Sequence, residues 1–121
     1  MDKSVQHIAV LALTVNVQQD TPKGSWVDAT GSTIAARAVP LGVTQHAGHA
    51  GETVAITVLG TASVDLNGIA SAAVMQGDVI CLDTGSMVVK TAAAALTAKD
   101  NVHGIVLYDA AATGHAEVLI K

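Results

Sequence analysis

The sequence predicts an all-β fold, a small pseudo-two-fold β-barrel with at most one or two short helical turns. Three observations support this prediction. Most segments alternate apolar and polar residues with a period of two, turn-forming residues bound these segments, and the two halves of the chain echo each other. The alternating runs are rich in β-branched residues, which strands favour. The predicted strands are residues 10–17, 53–60, 77–83, 86–91, 104–109 and 116–121.

Two alanine-rich segments depart from the alternation. They are GIASAAVMQG at residues 68–77 and TAAAALTAKDN at residues 91–101. Alanine favours a helical turn or two in each, but runs this short are marginal as helices without tertiary support. A loop that covers one end of the barrel is the alternative for both segments.

An internal duplication organises the chain. KGSWVDATGS, residues 23–32, is answered by QGDVICLDTGS, residues 76–86. In each copy a glycine precedes a short strand, and a turn containing Asp and Gly follows, as in a hairpin. Residues 41–58 and 103–121 then each begin with a strand opened by glycine, pass through an Ala- and Gly-rich turn and end in an alternating strand. The spacing varies between the copies, so we interpret the echo as a structural duplication.

The composition indicates one domain with a core of small side chains. Half of the 121 residues are hydrophobic, but Phe is absent and there are one Trp and one Tyr. Small side chains bury less apolar area each, so we expect subunit association to supply further stability. We predict an N-terminal arm or strand at residues 1–19 and a single β domain of two echoing halves at residues 20–121.

Charge and cysteine content exclude several classes of function. The formal net charge is −4, and the basic residues are scattered, which argues against a nucleic-acid partner. Cys81 is the single cysteine, so neither an intrachain disulfide nor a cysteine-based zinc site is available. No apolar run approaches the roughly 18 residues of a membrane span, and we predict no membrane partner.

His46, His49 and Glu52 are the candidate metal ligands of this sequence. They follow an HxxHxxE spacing, and imidazole and carboxylate groups are ordinary zinc ligands. Glycines and alanines separate them, a composition typical of a turn. In the second half of the chain, Tyr108 and an alanine stand where the two histidines would be. We therefore interpret the segment as a hairpin turn and predict no metal.

The catalytic candidates are Cys81 and the Asp-Thr-Gly triplet at residues 83–85. Alternation places Cys81 on one strand face with Asp83, and a neighbouring acid makes a thiol less reactive. A cysteine in a strand is more often a small core residue. The triplet is like that of aspartic proteases, but it suits a hairpin turn, and this chain would have to dimerise to pair two carboxylates. We predict no enzyme activity and no cofactor.

The order of these glycine-marked strands resembles that of the small tailed-phage capsid decoration, or cement, proteins. The matching stretches are VPLGVTQHAGHAGETVAITVLG, MQGDVICLDTGSMVVKTAAA and NVHGIVLYDAAATGHAEVLIK, within residues 20–121. The resemblance implies a compact β-barrel or β-tulip-like domain, usually a homotrimer, without a cofactor or a reaction. It implies a protein made in the host cytoplasm that sits on the capsid exterior of the virion and clamps the major capsid protein.

The N-terminal segment is the predicted interaction site. Val5, His7 and Ile8 lie in an apolar run, VQHIAVLALTVNV, that could add a strand to the edge of a neighbouring sheet.

Two other functions remain as alternatives. A biotinyl- or lipoyl-like carrier domain would use Lys90, which follows Met87 by three residues, although such carriers hold the lysine directly beside a methionine at a hairpin tip. A small metal-dependent enzyme would use the histidines of the turn described above.

Overall fold

Every regular element in the described part of the chain is a β-strand, which confirms the all-β prediction. The computed structural model describes residues 8–34, 39–83, 86–91 and 101–120. Its strands are β1 (Ile8–Asn16), β2 (Trp26–Val27), β3 (Gly42–Thr44), β4 (Thr53–Asp65), β5 (Val79–Asp83), β6 (Ser86–Lys90), β7 (Asn101–Val106) and β8 (His115–Ile120). The segment at residues 68–77 forms turns and not a helix, and most of the second alanine-rich segment, residues 92–100, lies outside the described ranges.

All eight strands belong to one antiparallel sheet that curls into a half-barrel. The order is β2-β3-β4-β8-β7-β5-β6, and β1 also pairs with β4. Thr57 of β4 has Val43 of β3 and Ala12 of β1 as register partners, so β1 and β3 lie on opposite edges of β4. β8 pairs with the second half of β4, beginning at Gly60, whose φ of +118° favours glycine.

The predicted duplication is present in the hydrogen bonds of the backbone. Four bonded pairs of the first half recur in the same order in the second: Thr21–Gly48 as Val74–Ala110, Gly24–Thr44 as Gly77–Val106, Ser25–Thr44 as Asp78–Val106, and Gln45–Ala55 as Leu107–Glu117. The two repeats therefore share one architecture, and this confirms the pseudo-two-fold fold. The 13-residue strand β4 belongs to both repeats. Its first half is the last strand of the first repeat, and its second half is the first strand of the second repeat.

β1 is the first strand of the first repeat, and the second half of β4 is the first strand of the second repeat. In the strand register, the pair Asn16–Thr53 of the first repeat corresponds to the pair Asp65–His115 of the second. In the backbone hydrogen bonds, both of 3.0 Å, the pair Val17–Glu52 corresponds to the pair Leu66–Gly114. Residues 13–16 thus correspond to residues 62–65. The division of the chain at residue 19 stays a prediction.

The Asp-x-Thr-Gly-Ser turn of the first repeat is a hairpin-like reversal, as its sequence predicts. The Asp28 N–H donates to the Ser32 carbonyl at 2.9 Å, and Gly31 adopts a φ of +86°. The Asp28 carboxylate accepts the Thr30 and Ser32 N–H groups and the Thr30 hydroxyl. Partial burial by itself raises the pKa of Asp28, but these hydrogen bonds outweigh it and hold the pKa below its usual value.

The core lies on the concave side of the half-barrel and consists almost entirely of aliphatic side chains. Trp26 is its one aromatic member among the described residues. Gly104 lies beneath this cluster, because a Cβ atom there would be 2.5 Å from Val118 Cγ1 and 3.6 Å from Trp26 Cζ2. The remaining space at this position is therefore smaller than one methyl group.

We predict that Gly104→Ala destabilises the protein by about 1–3 kcal/mol, the usual effect of overpacking a core. Urea unfolding at fixed protein concentration measures the change. Gly114→Ala is the matched control, because the nearest atom to its Cβ would be 3.5 Å away, an ordinary contact. Equal stability losses in the two variants would contradict this description of the core.

Candidate interaction surface

The side chains of two of the three candidate metal ligands, His46 and Glu52, bond to the backbone of their own turn. His46 Nδ1 lies 3.0 Å from the Ala47 carbonyl oxygen, and the Glu52 carboxylate accepts the N–H of His49. The His49 ring faces Asp20, with 3.6 Å between Nδ1 and Oδ1. In the described ranges, no three His, Cys, Asp or Glu side chains are grouped so that they could hold a metal ion.

Cys81 is inaccessible to a substrate. It is fully buried and packs with Val79, Val102 and Ile105 in a small cluster, as the prediction of a core residue requires. Asp83 is the register partner of Ser86 where β5 meets β6, and residues 84–85 lie outside the described ranges.

Lys90 occupies a position unsuited to a carrier domain. It is the register partner of Val79, at the end of the β5–β6 ladder farthest from the hairpin. Met87, its proposed companion, is buried in the core. A carrier lysine has to reach several active sites from an exposed tip, and a lysine in the ladder does not.

β1 is apolar and is exposed on both of its faces. Val10 is 75%, Leu11 47% and Leu13 42% exposed, and the intervening Ala12 is exposed as well. A strand of an antiparallel sheet ordinarily buries at least one face. Consecutive exposed apolar residues of this kind make β1 a candidate interaction surface.

The apolar exposure continues across the convex face of the sheet. Leu59 of β4 is the register partner of Leu11, and Leu119 of β8 is the partner of Thr61, which shares a strand face with Leu59. Both leucines are exposed. We refer to Leu11, Leu59 and Leu119 as the leucine surface. Exposed leucines on three adjacent strands indicate an interaction site rather than scattered surface residues.

The interaction site predicted from the sequence coincides only partly with this exposed apolar surface. Val5 and His7 are outside the described residues, and Ile8 begins β1 as the register partner of Thr61. Their role in binding stays a prediction. Leu59 and Leu119 look like ordinary strand positions in the sequence and were not predicted to belong to an interaction site. The unbroken apolar run IAVLAL does signal the exposure of β1, because a half-buried strand alternates instead, but this run does not extend to either leucine.

Trp26 and His103 form a second unusual feature, at the rim of the core. Their ring centroids are 6.4 Å apart in an edge-to-face arrangement. Trp26 Nε1 and His103 Nε2 are both buried, and no described group hydrogen-bonds to either. Removal from water disfavours the charged imidazolium, and this lowers the pKa of His103 below its ordinary value of 6.5.

We predict that the stability contributed by neutral His103 is present above about pH 6.5 and declines as the pH falls towards its lower pKa in the folded protein. In that range the unfolded chain binds a proton at His103 that the folded protein excludes. A His103→Gln variant should therefore lose less thermal stability than the wild type between about pH 7.5 and pH 5.5. Identical pH dependence of the melting temperature in the two proteins would contradict the burial of the imidazole.

Comparison with known proteins identifies a related family. A family model described as phage cement protein matches residues 5–121. No curated protein matches the sequence. Among the described residues, no helix has the length and apolar character needed to cross a membrane.

Proposed function

Because this chain belongs to the phage cement protein family, we propose that it binds the outer surface of a tailed-phage capsid and stabilises the shell of major capsid protein. The match over nearly the whole chain is the observation that carries this proposal. The family is structural, and the proposed role needs neither a cofactor nor a reaction. The protein is made in the host cytoplasm and acts on the virion.

The proposed mechanism is stabilisation by selective binding. A protein that binds the assembled shell, and not its separated or ruptured subunits, lowers the free energy of the intact lattice. The gain per site is about 2.7 kcal/mol when the free protein is at 100 times its dissociation constant. The same gain in free energy at every lattice site adds up to a large stabilisation of the shell against rupture by the packaged DNA.

The leucine surface is the proposed contact with the capsid. Each of its three side chains is close to half exposed, so burying the remainder contributes roughly 1 kcal/mol per leucine. The net charge of −4 supports a protein partner rather than nucleic acid. A homotrimer is the proposed assembly, because a core built from small side chains gains stability from subunit contacts.

We predict that replacing Leu59 and Leu119 together by serine lowers occupancy on capsids roughly tenfold or more, since two apolar contacts are lost. Capsids assembled without this protein are mixed with the purified variant, and the bound fraction is measured by band intensity in sedimented particles. The temperature at which the particles release DNA provides a second readout.

Val39→Ser is the matched control, because Val39 is also exposed but lies in the segment before β3 and belongs to none of the three strands of the leucine surface. This variant should bind as the wild type does. Capsids that neither bind the wild-type protein nor gain thermal stability from it would contradict the proposed function. Full occupancy by the double variant would contradict the assignment of the leucine surface.

A further inference from the structure

We propose that a second copy of this chain covers the free edge of β1 with its turn at residues 75–79. The proposed contact between two chains has the same form as a contact that already exists within one chain. The inference rests on the proposed function only for the number of copies.

The internal contact joins the first repeat to the second half of β4. The Asp65 N–H donates to the Gly24 carbonyl at 3.0 Å. A Cβ atom on Gly24 would lie 2.7 Å from both Asp65 N and Ser63 O, so only glycine permits this approach. Ala62, Ser63 and Val64 are buried at this place in the fold. One glycine turn thus covers the edge of the strand that opens the second repeat.

Among the described residues, no turn covers the corresponding edge of β1 in this way. Val17 bonds towards β4, and the alternation of an antiparallel ladder therefore turns the Asn16 N–H and the Thr14 carbonyl to the opposite edge. β4 is the only strand partner of β1 in the described chain. Gly31 lies against the Asn16 carbonyl, and within the described ranges no hydrogen bond reaches this edge at Thr14 or at the Asn16 N–H.

The residues of β1 are also less buried than their counterparts in the second half of β4. Leu13 is 42% exposed, whereas its counterpart Ala62 is fully buried. Thr14 is exposed, whereas its counterpart Ser63 is buried. Leu13 is the register partner of the buried Ile56, so it faces the concave side and is separate from the leucine surface. β1 thus lacks the neighbour that the second half of β4 possesses.

The matching donor is the turn at residues 75–79, the counterpart of residues 22–26. Gly77 has a φ of +92°, close to the +80° of Gly24. A Cβ atom built on Gly77 meets nothing within 4 Å, and no described residue donates a backbone hydrogen bond to its carbonyl oxygen. Met75, in the same turn, is 63% exposed. The second repeat therefore carries an unused copy of the covering turn.

This turn is already fixed in the conformation that the contact needs. The Met75 N–H donates to the Asp78 carboxylate at 3.0 Å, and the Gln76 N–H donates to the Asp109 carboxylate at 2.8 Å. The Gly77 N–H donates to the Val106 carbonyl at 2.8 Å, as Gly24 does in the first repeat. A preformed turn loses little conformational entropy when it binds.

The contact is head-to-tail, because the second repeat of one copy meets the first repeat of the next. A heterologous contact of this kind either closes into a ring or continues as a filament. With the three copies of the proposed homotrimer it closes a ring of six repeats, in which every opening strand has its edge covered.

The test compares two glycine variants of the full chain in solution without capsids. Gly77→Asn places a Cβ atom where the neighbour's Thr14 carbonyl and Asn16 N–H would approach, and asparagine tolerates positive φ better than most residues. Gly51→Asn is the control, since Gly51 has a φ of +88°, is exposed and also has open space around it. The two variants therefore carry similar local strain.

Sedimentation equilibrium is expected to show an associated wild type and an associated Gly51→Asn variant. Gly77→Asn should raise the dissociation constant roughly tenfold or more. Leu13→Ser, on the receiving strand, should also weaken association, and circular dichroism checks that each variant is folded. A wild type that is monomeric at about 100 μM, well above the dissociation constant of a stable oligomer, would overturn the inference. Wild-type association of Gly77→Asn would overturn it as well.

These outcomes are distinguishable from those that concern the capsid. A chain that associates as described but does not bind capsids contradicts the proposed function and leaves this inference standing. A chain that binds capsids as a monomer contradicts this inference and the proposed homotrimer, and leaves the proposed capsid binding standing.

Discussion

The backbone contact between Gly24 and the second half of β4 holds the two repeats of this protein together. At this point a turn of the first repeat lies directly on the edge of the strand that opens the second, with the Asp65 N–H bonded to the Gly24 carbonyl. Because β4 also closes the first repeat, the two repeats share one continuous strand and one core. The shared cluster contains buried residues of both repeats, as is usual where small structural repeats pack against each other.

The same arrangement leaves one strand without a cover. In the described residues the second repeat has the first packed before it, whereas the opening strand of the first repeat, β1, is exposed on both faces. In repeat proteins the terminal unit needs a cap or a partner for the same reason. The proposed partner would bury the apolar side chains of β1, and the leucine surface extends their exposure over β4 and β8.

The sequence predicts the strands well where alternation is sustained and fails where contacts between distant residues decide the structure. The predicted strand at residues 53–60 continues to Asp65, because Gly60 bends the strand without ending it. β2 and β3 have two and three residues, too few to show a period of two. The HxxHxxE spacing predicts a ligand set only if the side chains converge, and here His46 and Glu52 serve the turn backbone instead. The duplication was readable from glycine and aspartate positions, but the difference in burial between β1 and its counterpart depends on the neighbours of each strand in three dimensions.

If β1 is the uncovered counterpart of the second half of β4, the Asn16 and Asp65 amides must differ in their rates of hydrogen exchange. In dilute protein we expect strong protection of the Asp65 amide, which is bonded to Gly24, and fast exchange of the Asn16 amide. Protection at Asn16 should then appear when the protein is concentrated enough to associate. Equal protection of the two amides in dilute monomer would contradict the account, because it would show that the chain covers β1 by itself.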